Sequence, residues 1–265
     1  MSDTILLIFE GKKPEYNILD KMKGEFFSEK TILRAIWDCD IVSLYKKIKE
    51  DEYLDILPLL QEKSKKENKD IKDLKRDEVS QIYMFFDFEG KILKNKIPEF
   101  CDILKEMLEK FNNETGQGKL YISYPMAEAL KHAKKDLSIN ELKCVWDIYE
   151  KEHYKTYIGR ISDYTDIHKL DIADWELLIS LCVQKAYCLV YGKWKIPDYE
   201  EVDTLEQSKI FSYQRDRFII PKNSVVSLSA FPFFILNYFG EKLYKGLKCQ
   251  NYKKECKFKC IVCQR

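Results

Sequence analysis

Three short apolar runs in the first half of the chain each end at an acid. Ile5–Phe9 leads into Glu10-Gly11 and then Glu15, Ile82–Phe86 into Asp87 and Glu89, and Leu120–Tyr124 into Pro125 and Glu128. Runs of this length without polar alternation predict central parallel strands covered on both faces. Gly11 permits a sharp turn out of the first run, and a helix is predicted near Tyr16–Met22, giving a strand-loop-helix unit.

The same reading predicts a second strand at Thr31–Trp37. It predicts a helix over Ile41–Leu60, where apolar residues recur at three and four, broken near Pro58. Gln61–Glu78 alternates both signs of charge with no interleaved aromatic and reads as a solvated helix or connector without assigned function. An amphipathic helix follows from about Ile97 to Phe111, then a loop at Asn112–Gly118. Pro125 suits the first turn of a helix over Met126–Ala133, with Glu128 near its start. Beyond about Ser138 the pattern turns to helical stripes such as Asp174–Tyr191, with no strand alternation. Alternating strands and helices predict an α/β fold with a parallel sheet flanked by helices, followed by a mostly helical C-terminal half. The expected domains are residues 1–140, with a helical insertion at about 38–78, and residues 141–265.

Composition constrains partners more than fold. Lys plus Arg number 45 against 44 Asp plus Glu, a net charge of +1, so any nucleic-acid contact depends on a local basic patch. No apolar run approaches the roughly 20 residues that cross a bilayer, and no basic segment precedes the first apolar run. A cytoplasmic protein with no membrane partner is expected. Of nine cysteines, Cys39, Cys101, Cys144, Cys182 and Cys188 stand singly among apolar residues and read as reduced core thiols. Cys249, Cys256, Cys260 and Cys263 crowd the C-terminal tail. As thiolates they suffice for a tetrahedral structural Zn²⁺, and Cys260-x-x-Cys263 has a common ligand spacing; loose reduced thiols in a basic tail are the alternative.

The chemistry centres on the acids. In an open α/β sheet, ligands gather outside the carboxyl ends of the strands, so carboxylates scattered in sequence can meet there around a divalent metal. Taken singly, each acid also has a structural explanation as a turn cap or as a favourable charge in a helix's first turn. Lys12 and Lys13 stand in the glycine turn, where positive charge suits a phosphate, and Lys131 is a weaker candidate of the same kind. His132, His153 and His168 lack H-x-x-x-H or H-E-x-x-H spacing and are expected at the surface. There is no phosphate-binding G-x-x-x-x-G-K-[ST] loop, no dinucleotide fingerprint and no G-x-S-x-G elbow. Most of the aromatic residues, including Phe231 to Phe234, fall in periodic apolar segments and read as core. Phe211–Arg217 mixes aromatics with two arginines, a pattern suited either to a nucleic-acid strand or to a surface helix.

The segment Glu10-Gly11-Lys12-Lys13-Pro14-Glu15 resembles the EGxKTE opening of RloB-like proteins, a branch of the Toprim superfamily related to OLD-family nucleases. Asp87-Phe88-Glu89 is similar to the DxD motif of that superfamily, and Ser123-Tyr124-Pro125-Met126-Ala127-Glu128 to the S-N-P-x-F-E segment that ends its metal site. The resemblance covers roughly residues 1–140. Three positions depart from the pattern: Pro14 replaces threonine, Tyr124 replaces asparagine, and Glu89 replaces the second aspartate, keeping a ligating oxygen on a reach one methylene longer.

The resemblance implies a Toprim-like nuclease dependent on Mg²⁺ or Mn²⁺, cleaving phosphodiesters of DNA or RNA. Two-metal cleavage requires several hard oxygen ligands. The resemblance assigns Asp87 and Glu89 to one metal, Glu10 to a bridging position or the nucleophilic water, and Glu15 and Glu128 to a second metal. Glu10, Asp87 and Glu89 are then the catalytic set, with Lys12 and Lys13 binding phosphate. It further implies a prokaryotic antiphage effector working with an ABC- or AAA-type ATPase. One alternative is a catalytically weak nucleic-acid-binding or regulatory subunit of such an ATPase complex, as a monomer or an oligomer. Another is an RNA-maturation or topoisomerase-type enzyme, disfavoured because no separate catalytic-tyrosine domain is evident.

Overall fold

A computed structural model describes residues 4–51, 53–63, 71–88, 96–134, 144–150 and 153–251, with side chains to residue 246. The protein is α/β, with a five-stranded, mostly parallel sheet flanked by helices and helices dominating the C-terminal half. The chain forms two compact units, Met1–Phe86 with Asp102–Tyr121, and Asp87–Cys101 with Ile122–Arg265.

The first unit is built on β1 (Thr4–Phe9), every residue of which is buried. A strand covered on both faces has no reason to alternate, which is why its sequence is continuously apolar. β1 runs parallel to β2 (Ile32–Ile36) on one side and to β3 (Val79–Asp87) on the other, with Ile8 opposite Ile36 and Met84. The sheet order is β2-β1-β3-β5-β4, where β5 (Gly118–Ser123) is the strand expected near Leu120–Tyr124 and forms an antiparallel hairpin with β4 (Asn112–Asn113), two residues within the segment expected to be loop.

Helices of this unit bury the faces their periodicity marks. In α1 (Lys13–Phe26) the buried residues are Glu15, Ile18, Leu19 and Met22, and in α2 (Ile41–Glu50) they are Ile41, Leu44, Tyr45 and Ile48. Asp40 caps α2, accepting the Ser43 N–H at 3.0 Å. The helix expected to break near Pro58 breaks earlier instead: α2 stops at Glu50, and α3 (Ile56–Lys63) carries Pro58 in its first turn. Asp51 and Asp55 cause the break by accepting the amides of Tyr53 and Leu57, and a first-turn proline forfeits no helical hydrogen bond. α4 (Ile97–Lys110) precedes the hairpin.

The second unit is organised around α6 (Ile172–Tyr191). A reciprocal capping box of Asp171 and Asp174 starts this helix and left-handed Gly192 ends it. Almost every residue from Trp175 to Val190 is buried, so α6 is covered on nearly all sides, with Glu176, Ser180, Gln184 and Lys185 buried among its apolar residues. It packs against α8 (Gln207–Gln214) and α10 (Ala230–Asn251), the latter kinked at Gly240, where φ is 66°. Phe231 and Phe234 are fully buried, as expected of core. α5 (Tyr154–Ile161) and α7 (Tyr199–Asp203) complete the regular helices before α8, and a π-helical turn at Arg215–Ile219 leads into α9 (Ile220–Lys222).

The mostly helical second half also holds two short strands that no alternation marked, β6 (Val145–Asp147) and β7 (Ser224–Val226), which pair antiparallel with Trp146 opposite Val225. Three-residue strands are too short to display a period. Cys39, Cys101, Cys144 and Cys182 are buried free thiols as expected, whereas Cys188 is disulfide-bonded; isolated placement in sequence carries no information about pairing in space. Among the described residues, no helix is long and apolar enough to cross a membrane.

Candidate functional site

In the first unit the turn after β1 is held from both sides. Phe9 stacks between Trp37 and Phe85, with ring centroids 4.6 and 4.8 Å away. One residue further on, the Glu10 N–H donates to the Phe85 carbonyl at 3.2 Å, extending the ladder past the strand's end. From the β2 side, Asp38 N–H donates to the Gly11 carbonyl and Cys39 N–H to the Phe9 carbonyl, at 3.3 and 3.0 Å. Asp38 reaches this position with φ of 54°, a left-handed conformation that aspartate tolerates better than most residues. The backbone carrying Glu10 is therefore fixed before any ligand arrives.

Glu15 folds back onto that turn from the first turn of α1. It is 3 % exposed, and its carboxylate lies so close over Gly11 that a Cβ there would collide with it. The requirement at Gly11 is thus a close approach between its backbone and a carboxylate. Pro14 stands in the first turn of α1, where a missing N–H costs nothing, so a proline here is compatible with the helix. Lys12 and Lys13 are exposed at the same helix end, Lys12 in the N-cap position. The structure thus brings Glu10, Gly11, Lys12, Lys13 and Glu15 together in one short turn.

In the second unit Asp87 is the half-buried last residue of β3, and Phe88 beyond it is buried against the rings of Tyr124 and Phe100. Glu89 lies outside the described residues. Tyr124 is wholly buried and pairs backbone to backbone with Leu228 at 2.7 and 2.9 Å. Burial holds its phenol well above the usual tyrosine range, and this tyrosine serves as core.

A cis Tyr124-Pro125 bond leads to a 3₁₀ turn, Ala127–Lys131, where an α-helix to Ala133 was expected. At its end Lys131 O accepts from the Ser162 hydroxyl, and just beyond it His132 O accepts from Lys185 Nζ. Glu128 is buried on this turn, 5 % exposed, with Lys155 Nζ 3.1 Å from its Oε1. Lys131 is half-buried and donates to the Thr165 carbonyl at 3.3 Å; burial lowers its pKa while the Glu128 charge opposes that shift.

His132 is buried, not exposed as its sequence context suggested. It is 1 % exposed, with Nδ1 at 2.9 Å from the Tyr154 hydroxyl and 2.8 Å from that of Ser227. His153 and His168 are exposed as expected. The aromatic-arginine segment is split: Phe211 and Gln214 are buried, Arg217 lies 4.6 Å over the Tyr213 ring and donates to the Leu189 carbonyl. Lys155 and the buried setting of Glu128 were missed in sequence, since α5 is separated from the turn by a charged stretch with no motif.

Among the described residues, no group of three or more His, Cys, Asp and Glu side chains is assembled to hold a metal ion. The side chain of Cys249 and all of Cys256, Cys260 and Cys263 lie outside the described residues. Comparison with protein-family models, with curated proteins and with solved structures finds no match to this chain.

Proposed function

We propose that the protein is a Toprim-like, Mg²⁺- or Mn²⁺-dependent nuclease that cleaves DNA or RNA phosphodiesters. The observation that carries this reading is the turn after β1, where a buried strand delivers Glu10 and α1 returns Glu15 onto Gly11. Carboxylate oxygens are the donors that hard divalent cations prefer, so this pair fits such an ion. The sequence resemblance adds Asp87, Glu89 and Glu128 to the ligand set. The chemistry the cation supplies when bound is stabilisation of charge on a phosphodiester attacked by water.

In this reading the chain's own groups bind and orient. Lys12 and Lys13 at the N-terminus of α1 add positive charge where the helix dipole already favours an anion, while Lys131 and Lys155 do the same beside Glu128. An antiphage role and an ABC- or AAA-type ATPase partner follow from the resemblance alone. Cytoplasmic location belongs to the same proposal.

A second reading, a nucleic-acid-binding or regulatory subunit without efficient chemistry, draws on Lys155, which already supplies Glu128 with a cation. Cleavage of labelled duplex DNA, single-stranded DNA and tRNA with Mg²⁺, Mn²⁺ or EDTA separates the two. Metal-dependent cutting by the wild type that is lost in Glu10→Ala and Asp87→Ala is the expected result. Absence of cutting on all three substrates, with a candidate ATPase supplied, favours the binding subunit.

A further inference from the structure

The second unit encloses a cavity of about 10 Å³ against α6, lined by Leu178, Leu181, Cys182, Lys185, His132 and Ser229 among others. A space of this size admits one water-sized particle and excludes a phosphate or a carboxylate. Its walls are mostly apolar, but His132, Lys185, Ser227 and Ser229 also line it, all of them buried. Of these, Lys185 and the His132 ring carry N–H groups.

The Lys185 ammonium donates one hydrogen bond, to the His132 carbonyl at 2.9 Å, and has no carboxylate partner among the described residues. An ammonium has three N–H donors, and a buried cation without a counter-charge is costly. The proton arrangement on His132 follows from its neighbours. Tyr154 and Ser227 bond to each other and both contact Nδ1. Their two hydroxyl protons have three acceptors within this cluster: the two oxygens and Nδ1. Tyr154 donating to Ser227, and Ser227 to Nδ1, uses both protons, and a proton on Nδ1 would leave one hydroxyl without an acceptor. Nδ1 therefore accepts, and the ring proton sits on Nε2, which is buried with no hydrogen-bond partner among the described residues. The Cys182 thiol is also spoken for, donating to the Ser229 carbonyl at 3.5 Å.

We propose that this cavity is a binding site for a small monatomic anion of the halide class, held by Lys185 Nζ and by the N–H of neutral His132. A halide accepts from both donors and supplies the counter-charge that Lys185 lacks, which a neutral water does not. The site is independent of the nuclease reading.

The test is a crystal structure of the full chain grown with sodium bromide, with anomalous data collected at the bromine edge. A bromide peak within contact of Lys185 Nζ and His132 Nε2 is expected. A peak without anomalous signal means water and overturns the proposal, as does no peak. In solution, the melting temperature of the wild type is expected to rise with sodium bromide or chloride more than with sodium acetate at equal ionic strength, because acetate does not fit the cavity. Lys185→Met, which keeps the side chain's length without its charge, is expected to lose that halide-specific rise. An equal response to all three salts would falsify the site.

Discussion

Lys155 Nζ sits 3.1 Å from Oε1 of Glu128, yet the two side chains are unequally placed, 58 % and 6 % exposed. The carboxylate is built into the protein and the ammonium reaches it from solvent. Such a lysine is displaceable by another cation, but its removal leaves the buried carboxylate without a counter-charge, which costs more than the loss of a surface ion pair. Lys155→Ala is therefore expected to lower stability by about 1–3 kcal/mol. On the nuclease reading the lysine and a divalent cation compete for Glu128, so the variant is expected to bind Mn²⁺ several-fold more tightly by titration calorimetry. Unchanged affinity would take Glu128 out of the metal-ligand set.

Gly11→Ala tests the turn itself. The added Cβ meets the Glu15 carboxylate, so this buried side chain has to leave its place over the turn, at a cost of about 1–3 kcal/mol. Truncating Glu15 removes the obstacle, and Gly11→Ala combined with Glu15→Ala is expected to be less destabilised than the sum of the single variants. Thermal unfolding of the four proteins measures the coupling. Additive losses would mean that Gly11 is required for another reason.

The contrast between these two sites shows what the sequence carried. Ile5–Phe9 and Ile82–Phe86 were legible as strands because residues buried on both faces leave an unbroken apolar run, and Gly11 after the first run marked the turn. Ser224–Val226 left no trace, since a three-residue strand completes barely one period. His132 was misread because its burial depends on hydroxyls from Tyr154 and Ser227, far away in sequence. The same holds for Lys155, whose partner is fixed by tertiary packing and not by helical spacing.

Gln214 is a polar residue of this kind, with no accessible surface although it ends a helix beside exposed arginines. Its amide clamps one residue of β7: Nε2 donates to the Val226 carbonyl at 2.7 Å, and Oε1 accepts the Val226 N–H at 2.9 Å. Gln214→Leu leaves both backbone groups buried and unpaired, with an expected loss of about 2–4 kcal/mol. Gln214→Glu retains the acceptor and removes the donor, but buries a charge. It is expected to lose less stability at low pH, where a protonated carboxyl can donate to Val226. Urea unfolding at two pH values reads both effects.

His132 gives the fold a pH dependence whose sign follows from its surroundings. Burial, and secondarily the Lys185 charge, push its pKa well below the ordinary value of 6.5. Among the described residues no carboxylate contacts the ring to offset this: its neighbours are the hydroxyls of Tyr154 and Ser227, the Tyr157 ring and Lys185. Below pH 6.5 the unfolded chain takes up a proton at this position that the folded chain refuses. Stability from this group is complete above pH 6.5 and is lost as pH falls toward the folded-state pKa, at up to about 1.4 kcal/mol per pH unit. His132→Asn keeps a group near the position of Nδ1 for the two hydroxyls and cannot take up a proton. The variant is expected to be less stable than wild type at pH 8, with the gap narrowing between pH 6.5 and 5 in urea unfolding. A gap that stays constant over that range would mean that His132 titrates alike in the folded and unfolded chains, and that the polar cluster around it does not exclude the proton.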